Sequence, residues 1–276
     1  MRPRWRKLLA DPWFMAALAV AIAVVVMALL APLVAPYDPA QQFPEGITAD
    51  GQPLPPGGKF VLGTDLLGRD LFSRIVWGAR TSLIVGVLAN GAALAIGTLI
   101  GLMAGYFHGW VGGLLMRFTD VMTAFPALLL AIALAAILKP SIWIVALVIA
   151  LVSWVQVARV IYAQTLALSR REFVEAAVAL GASPWRIMVR HLVPHLAPSL
   201  VVWGSLGLAS TVLLEAALSF LGVGVQPPTP SWGGIINESQ SYFTQAPWLV
   251  AFPGLAILLT AWAFNVLGDS LREVWG

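Results

Sequence analysis

The chain has 276 residues, of which 59% are hydrophobic and only 11% are charged. Soluble domains carry about 25% charged residues, so this composition excludes an ordinary soluble fold and indicates a protein that is solvated by lipid. The net charge of +3 arises without a basic stripe and the chain has no cysteine, which argues against nucleic acid binding and excludes disulfides and thiolate sites.

Six apolar stretches are each close to the roughly 20 residues that a helix needs to cross a bilayer. The sequence therefore predicts an all-α integral membrane protein, with a cytoplasmic N-terminus at residues 1–12 and a first span too long for the core of a secretory signal. In chain order the predicted spans are Trp13 to Ala35, Leu83 to Tyr106, Leu114 to Leu138, Ile142 to Ile161, Pro198 to Leu221 and Trp248 to Leu267.

The basic residues predict the orientation of these spans. Cytoplasmic loops carry an excess of Lys and Arg, and six spans return the C-terminus to the side of the N-terminus. With both termini in the cytoplasm, the basic residues on the inner side are Arg2, Arg4, Arg6, Lys7, Arg117, Arg159, Arg170, Arg171, Arg186, Arg190 and Arg272. Fewer lie outside, namely Lys59, Arg69, Arg74, Arg80 and Lys139.

A long outer loop follows the first span and completes a unit at residues 13–82. Its first half is rich in Pro and Gly and is predicted to be irregular. In its second half, Leu71, Ile75 and Val76 recur at helical spacing beside polar residues, which predicts an interfacial helix on the outer membrane face. The remaining residues, 83–276, form the predicted five-helix core.

Two features inside the spans point to helix packing or to function. Gly97, Gly101 and Gly105 recur every four residues, which favours close helix packing. Asp120 and Glu215 are ionisable groups in or near apolar spans, where such groups are costly. For Asp120 the alternatives are a structural bond, for example to Arg117 or a helix terminus, and a role in a pathway; for Glu215 they are interhelical packing and a translocation path.

The cytoplasmic loop at residues 169–195 is predicted to form two short helices. Ser169 and Glu172 have the spacing of a capping box, and Gly181 can end the first helix in the left-handed region. Ser183 can then cap a second helix that begins at Pro184.

Several motifs in this order resemble the dipeptide and oligopeptide permeases of ATP-binding-cassette (ABC) importers, specifically their second subunit type. The motifs are LGTDLLGRDLFSRIVWGARTSLIVG, MRFTDVMTAFP, EAALSFLGVGVQPPTPSWG and FPGLAILLTAWAFNVLGDSLRE, together with the loop at 169–195. Many members have Ile and Leu before the loop proline Pro194, where this chain has His191 and Val193. The resemblance implies the type I importer permease fold, in which this loop is the cytoplasmic coupling helix.

The resemblance also implies site residues. The loop would contact the ATPase subunit through Glu172, Glu175, Ala176, Ala177, Gly181, Ala182, Ser183 and Arg186. The Pro- and Gly-rich outer segment, residues 222–247, would fold over the outer mouth and help to receive substrate. Candidates there and on the translocation path are Glu215, Gln226, Pro227, Ser231 and Trp232.

The family further implies partners: a homologous permease forming a heterodimer, two ATPase subunits that bind ATP and Mg, and an extracytoplasmic solute-binding protein, all at a bacterial inner membrane. The chain itself is predicted to be no enzyme and to hold no cofactor. Its one Gly-Lys pair, Gly58–Lys59, is followed by Phe60 and lacks the phosphate-loop context, and the motifs H-E-x-x-H and G-x-S-x-G do not occur. With no cysteine and three histidines, the chain is also predicted to hold no metal. The open alternatives are another solute, such as a nickel chelate or haem, a secondary transporter or channel, and a membrane scaffold.

Overall fold

The computed structural model describes residues 8–139 and 141–275. The predicted basic N-terminal positions, Arg2 to Lys7, lie outside this range. The helices are α1 (Pro12–Leu29), α2 (Ala31–Val34), α3 (Leu71–Tyr106), α4 (Trp110–Thr123), α5 (Ala127–Ile137), α6 (Ile142–Leu168), α7 (Glu172–Ala179), α8 (Pro184–Ile187), α9 (Val193–Phe220), α10 (Trp232–Glu238) and α11 (Trp248–Trp275).

The described residues contain five helices that are long and apolar enough to cross a membrane, and six spans if the bent pair α4 and α5 is counted as one. This agrees with the predicted number. The third predicted span is not straight, however, because the axes of α4 and α5 meet at 84°. The break falls at residues 124–126, where Pro126 cannot donate a backbone hydrogen bond and disfavours a helical residue before it.

The predicted interfacial helix and the second span form one helix, the 36-residue α3. Asp70 caps its N-terminus, since its carboxylate accepts a hydrogen bond from the Ser73 N–H at 2.7 Å. The side chains of Leu71 and Val76 are fully buried, in contact with protein and not with the membrane surface. Apolar periodicity cannot distinguish these two environments, so the prediction of a separate interfacial element is corrected.

The closest helix packing joins α3 to α6, and the glycines of α3 make it possible. A Cβ on Gly97 would lie 2.6 Å from the carbonyl oxygen of Trp154, and one on Gly101 would lie 2.6 Å from that of Ala158. A Cβ on Gly105 would lie 2.6 Å from the Cβ of Thr165. The contacts advance together along both helices, so α3 and α6 run parallel, and the predicted packing role of the glycines is confirmed.

The other spans enclose this pair. α9 packs against α3 and α11, and α1 packs against α3 and α11. An apolar cluster that includes Leu71, Leu83, Trp232 and Leu249 lies at the N-terminal end of α3. A second cluster lies near its other end and includes Leu102, Ile161 and Ile187. The two clusters mark the two ends of the molecule, each of which carries one set of predicted site residues.

Candidate functional site

The predicted two-helix loop is present as α7 and α8, which we call the elbow (residues 172–187). Gly181 adopts a φ of 77°, a conformation that side chains disfavour, and so allows the sharp turn between the helices. Ser183 caps α8, since its hydroxyl accepts a hydrogen bond from the Arg186 N–H at 3.4 Å, and Pro184 occupies the first turn. These features agree with the sequence prediction.

The predicted capping box at Ser169 and Glu172 is wrong. Helix α6 continues to Leu168, so Ser169 ends that helix and its hydroxyl donates to the carbonyl of Leu166 at 3.0 Å. Arg171 is the N-cap residue of α7 and makes no side-chain capping bond. The side chain of Ser169 was therefore assigned to the wrong helix.

The elbow is fixed to the ends of α3 and α6 through its apolar side. Val174 and Ala177 of α7 and Ile187 of α8 are buried in one cluster with Leu102 and Ile161. Ala177, which was predicted to contact the ATPase, therefore packs against this chain, and Ala182 is half-buried at the same cluster.

The opposite side of the elbow is exposed. The other predicted coupling residues lie on it: Glu172, Glu175, Ala176, Gly181, Ser183 and Arg186. Three large apolar side chains of the elbow are also exposed, since Leu180 is 88%, Trp185 63% and Val178 54% exposed. Trp185 faces a cavity that it lines together with Leu94 and Leu102 of α3. None of the three was predicted as a site residue, although apolar residues beside a helix-ending glycine were the available signal. The elbow thus presents a mixed apolar and charged surface.

The elbow continues directly into a span. A π-helical turn, Met188–Leu192, joins α8 to α9, and the combined run Pro184–Phe220 has no break. Pro194, predicted to follow the second short helix, lies within this run. The imidazole of His195 stacks on the ring of Phe173 in α7, with centroids 4.8 Å apart. The elbow and α9 are therefore joined by continuous helix.

At the other end of the molecule, Glu215 of α9 is completely buried. Its carboxylate accepts hydrogen bonds from the hydroxyls of Ser82 at 2.8 Å and Ser219 at 2.7 Å. Ser82 in turn accepts from the Trp232 N–H at 3.4 Å, so the carboxylate joins α9, α3 and the outer segment. Of the two alternatives for Glu215, this geometry corresponds to interhelical packing.

The predicted outer candidates divide into two groups. Gln226 and Pro227 are exposed, whereas Ser231 and Trp232 are buried. The indole N–H of Trp232 donates to the carbonyl of Ile75 at 3.1 Å, and the Ser231 hydroxyl caps α10. The two buried residues hold the outer segment against α3. Of these four candidates, Gln226 and Pro227 are therefore the ones open to a substrate in this conformation.

A charged network that the sequence analysis did not predict lies beside them. Arg69 donates to Asp65 at 2.6 Å and to Glu238 at 2.5 Å, and Arg74 donates to the same two carboxylates. Both arginines and Asp65 are buried, while Glu238 at the end of α10 is partly exposed. The network connects the outer loop, the head of α3 and α10.

Two ion pairs lie at exposed positions, one between the helices α4 and α6 and one in the outer loop. Asp120 of α4 accepts from Arg159 of α6 at 2.6 Å, and the side chains are 63% and 45% exposed. The bond to Arg117 that was considered for Asp120 is not formed. In the outer loop Lys59 donates to Glu45 at 2.7 Å, a hydrogen bond that lowers the pKa of the Glu45 carboxyl and raises the pKa of Lys59.

Comparison with known proteins identifies families and a solved structure that this chain resembles. Residues 97–275 match the family described as binding-protein-dependent transport system inner membrane component, and residues 2–56 match the N-terminal TM domain of oligopeptide transport permease C. A chain of the MetNI methionine ABC transporter in inward-facing conformations has a TM-score of 0.58 at 18% identity, with 74% of this chain and 97% of that chain covered. At that identity the likeness concerns the fold.

Two curated relatives cover nearly the whole chain. The glutathione transport system permease protein GsiD of Pectobacterium atrosepticum is 40% identical over 99% of this chain and 89% of its own length. The di/tripeptide transport system permease protein DppC of Pseudomonas aeruginosa is 40% identical over 98% of this chain and 89% of its own length. The chain therefore belongs to the family of inner membrane components of binding-protein-dependent transport systems, within its dipeptide and oligopeptide ABC permease group.

Proposed function

We propose that the chain is one permease subunit of an ATP-driven importer of short peptides. It forms half of the translocation pathway beside a homologous permease, and both of its termini lie in the cytoplasm. Two separate ATPase subunits bind ATP and Mg, and an extracytoplasmic binding protein delivers the peptide. The names of the curated relatives, which refer to glutathione and to di- and tripeptides, support the substrate class.

The elbow is the observation that carries this proposal. It has a buried side fixed to α3 and α6, an exposed side with Leu180, Glu172 and Glu175, and a continuous connection to α9. Val178 and Leu180 are exposed in a loop outside the spans, and neighbouring apolar side chains at such a place fit a surface that a protein partner covers. An ATPase bound to the exposed side could displace α3, α6 and α9 together when nucleotide binding closes the ATPase dimer.

Substitution of Gly181 tests the coupling role of the elbow. We expect Gly181→Val to abolish ATP-driven uptake, because its φ of 77° is unfavourable for a β-branched residue and the turn that presents α8 would change. The variant should still insert into the membrane at the wild-type level. Uptake of labelled peptide and copurification of the ATPase subunits are the measurements.

Gly51→Val is the matched control and should leave uptake at the wild-type level. Gly51 has a φ of 73° and, like Gly181, no atom within 4 Å of the position of a new Cβ, but it lies in the outer loop. A second variant, Glu175→Arg, changes an exposed charge without backbone strain and should also reduce ATPase retention. Wild-type uptake in both Gly181→Val and Glu175→Arg would contradict the proposed coupling.

A further inference from the structure

The Asp120–Arg159 pair is charged, exposed and located within membrane-spanning helices. Arg159 lies two residues before Ile161, which ends the predicted span and packs against the elbow. Asp120 belongs to α4, the first half of the bent span. The polar side chain of Gln156, about one turn farther into the span on α6, is exposed as well. Polar and ionisable groups within spans almost always face protein or a water-filled cavity and not lipid. The face that carries Gln156, Arg159 and Asp120 is therefore not a lipid face.

Polar side chains continue from the pair toward the outer end of the molecule. Thr123 lies one turn beyond Asp120 on α4, and Gln156 lies one turn before Arg159 on α6. Both line a cavity of about 250 Å³ whose other walls include Phe125 and Pro126 at the bend. The bend thus leaves room beside α6 where a straight helix would continue, and this room lies directly above the ion pair.

A second cavity of about 370 Å³ opens on a different side of α6. It is lined by Gln164 of α6, Ser199 of α9 and Arg272 of α11. Gln164 follows Arg159 by five residues, a rotation of about 140° around the helix axis. The second cavity is therefore separate from the one at the bend, and the ion pair adjoins the cavity at the bend.

We propose that the side of α6 that carries Gln156 and Arg159 lines the solute path through the chain, and that Asp120 and Arg159 form a binding station for the charged ends of a zwitterionic solute. Asp120 would bind an ammonium group and Arg159 a carboxylate, after their mutual ion pair opens. Exposed pairs of this kind are weak and exchange partners readily. This inference rests on the proposed function.

Cysteine labelling tests the path, because the chain has no cysteine of its own. In the full transporter in membrane vesicles, Gln156→Cys should react with a charged, membrane-impermeant thiol reagent. We expect a rate at least about 10-fold above that of Leu147→Cys, which lies about two and a half turns from Gln156 and so on the opposite side of α6. Leu147 is 47% exposed, so low accessibility in the folded chain would not explain its slow reaction.

Solute protection separates a path from an interface between subunits. Substrate-loaded binding protein with ATP should slow the labelling of Gln156→Cys at least about threefold, whereas unloaded binding protein with ATP should not. Labelling without such protection would assign this side of α6 to contact with the partner permease and overturn the station. An unreactive Gln156→Cys in a transporter that still takes up peptide would overturn the path.

Removal of both charges tests the station itself. In the double variant Asp120→Asn and Arg159→Gln no unpaired charge remains, so a merely structural pair would tolerate the change. We expect the number of peptides imported per ATP hydrolysed to fall about 10-fold. Glu45→Gln, which breaks an ion pair of similar exposure in the outer loop, is the control. Wild-type coupling in the double variant would overturn the station.

The same experiments keep this inference separate from the proposed function. The wild-type complex is assayed first for ATP-driven peptide uptake, and an absence of uptake would contradict the proposed function. If wild-type uptake is present, the labelling and coupling results concern only the path and the station.

Discussion

At the scale of single residues, the glycines of α3 set the distance between the two central helices. The carbonyl oxygens of Trp154 and Ala158 occupy the space that side chains at Gly97 and Gly101 would need. In a membrane, where the hydrophobic effect does not bring helices together, such close packing is a main source of association. The spacing of these glycines made the contact predictable, although the sequence did not identify α6 as the partner.

Substitution at Gly101 should therefore be costly even for a single methyl group. We expect Gly101→Ala to destabilise the protein by about 1–3 kcal/mol, since overpacking forces backbone shifts of this cost. Gly91→Ala, in the same helix but with no atom within 4 Å of the new Cβ, is the matched control and should be neutral or slightly stabilising. Thermal unfolding in detergent measures both, and equal midpoints would contradict the expectation.

At the scale of elements, two kinds of contact hold the outer segment in place: ion pairs of Glu238 and the buried indole of Trp232. Trp232 is buried against α3, and Glu238 at the other end of α10 binds Arg69 and Arg74. Sequence motifs marked this segment as important, and its irregular part was predicted from its Pro and Gly content. The burial of Ser231 and Trp232 could not be predicted, because it depends on which helix the segment contacts.

Loss of Glu238 should loosen this element. We expect Glu238→Gln to lower the unfolding midpoint by several degrees, because two buried arginines would then share one carboxylate, and breaking buried pairs costs about 3–5 kcal/mol. Glu238 is a quarter exposed, so the effect should fall at the lower end. Glu45→Gln, in an exposed pair, is expected to have little effect. Equal midpoints for the two variants would argue against a structural role of the network.

The helices themselves illustrate what apolar pattern can and cannot predict. Each predicted span corresponds to a helix or, for residues 114–138, to a bent pair of helices. The pattern failed where one helix continues beyond the membrane, as at Leu71 in α3, and where a chain turns inside it, as at Pro126. Both failures arise because hydropathy reports a preference for an apolar surrounding and not whether lipid or protein supplies it.

At the scale of the whole molecule, the elbow and the outer segment lie at opposite ends. The N-terminal part of α3 contacts the outer segment, and the C-terminal parts of α3 and α6 contact the elbow. The predicted coupling residues and the predicted substrate-receiving residues are therefore separated by the spans. The orientation of this arrangement in the membrane remains a prediction from the distribution of Arg and Lys.

Accessibility in intact cells tests this orientation. We expect an impermeant thiol reagent to label Thr229→Cys in the exposed outer segment and to leave Ser183→Cys in the elbow unlabelled until the membrane is permeabilised. Both positions are exposed in the folded chain, so a difference reports the side of the membrane. Labelling of Ser183→Cys in intact cells would invert the topology and remove the elbow from the reach of a cytoplasmic ATPase.

The length of α3 has a mechanical consequence. At 36 residues it measures about 54 Å, well beyond the roughly 30 Å of a hydrocarbon core, and no proline interrupts it. A tilt of about 10° would therefore displace one tip relative to the other by about 9 Å over this length. If α3 tilts as a rigid body, a displacement of its cytoplasmic end is accompanied by a displacement of its extracytoplasmic end. No change of conformation within the helix is needed.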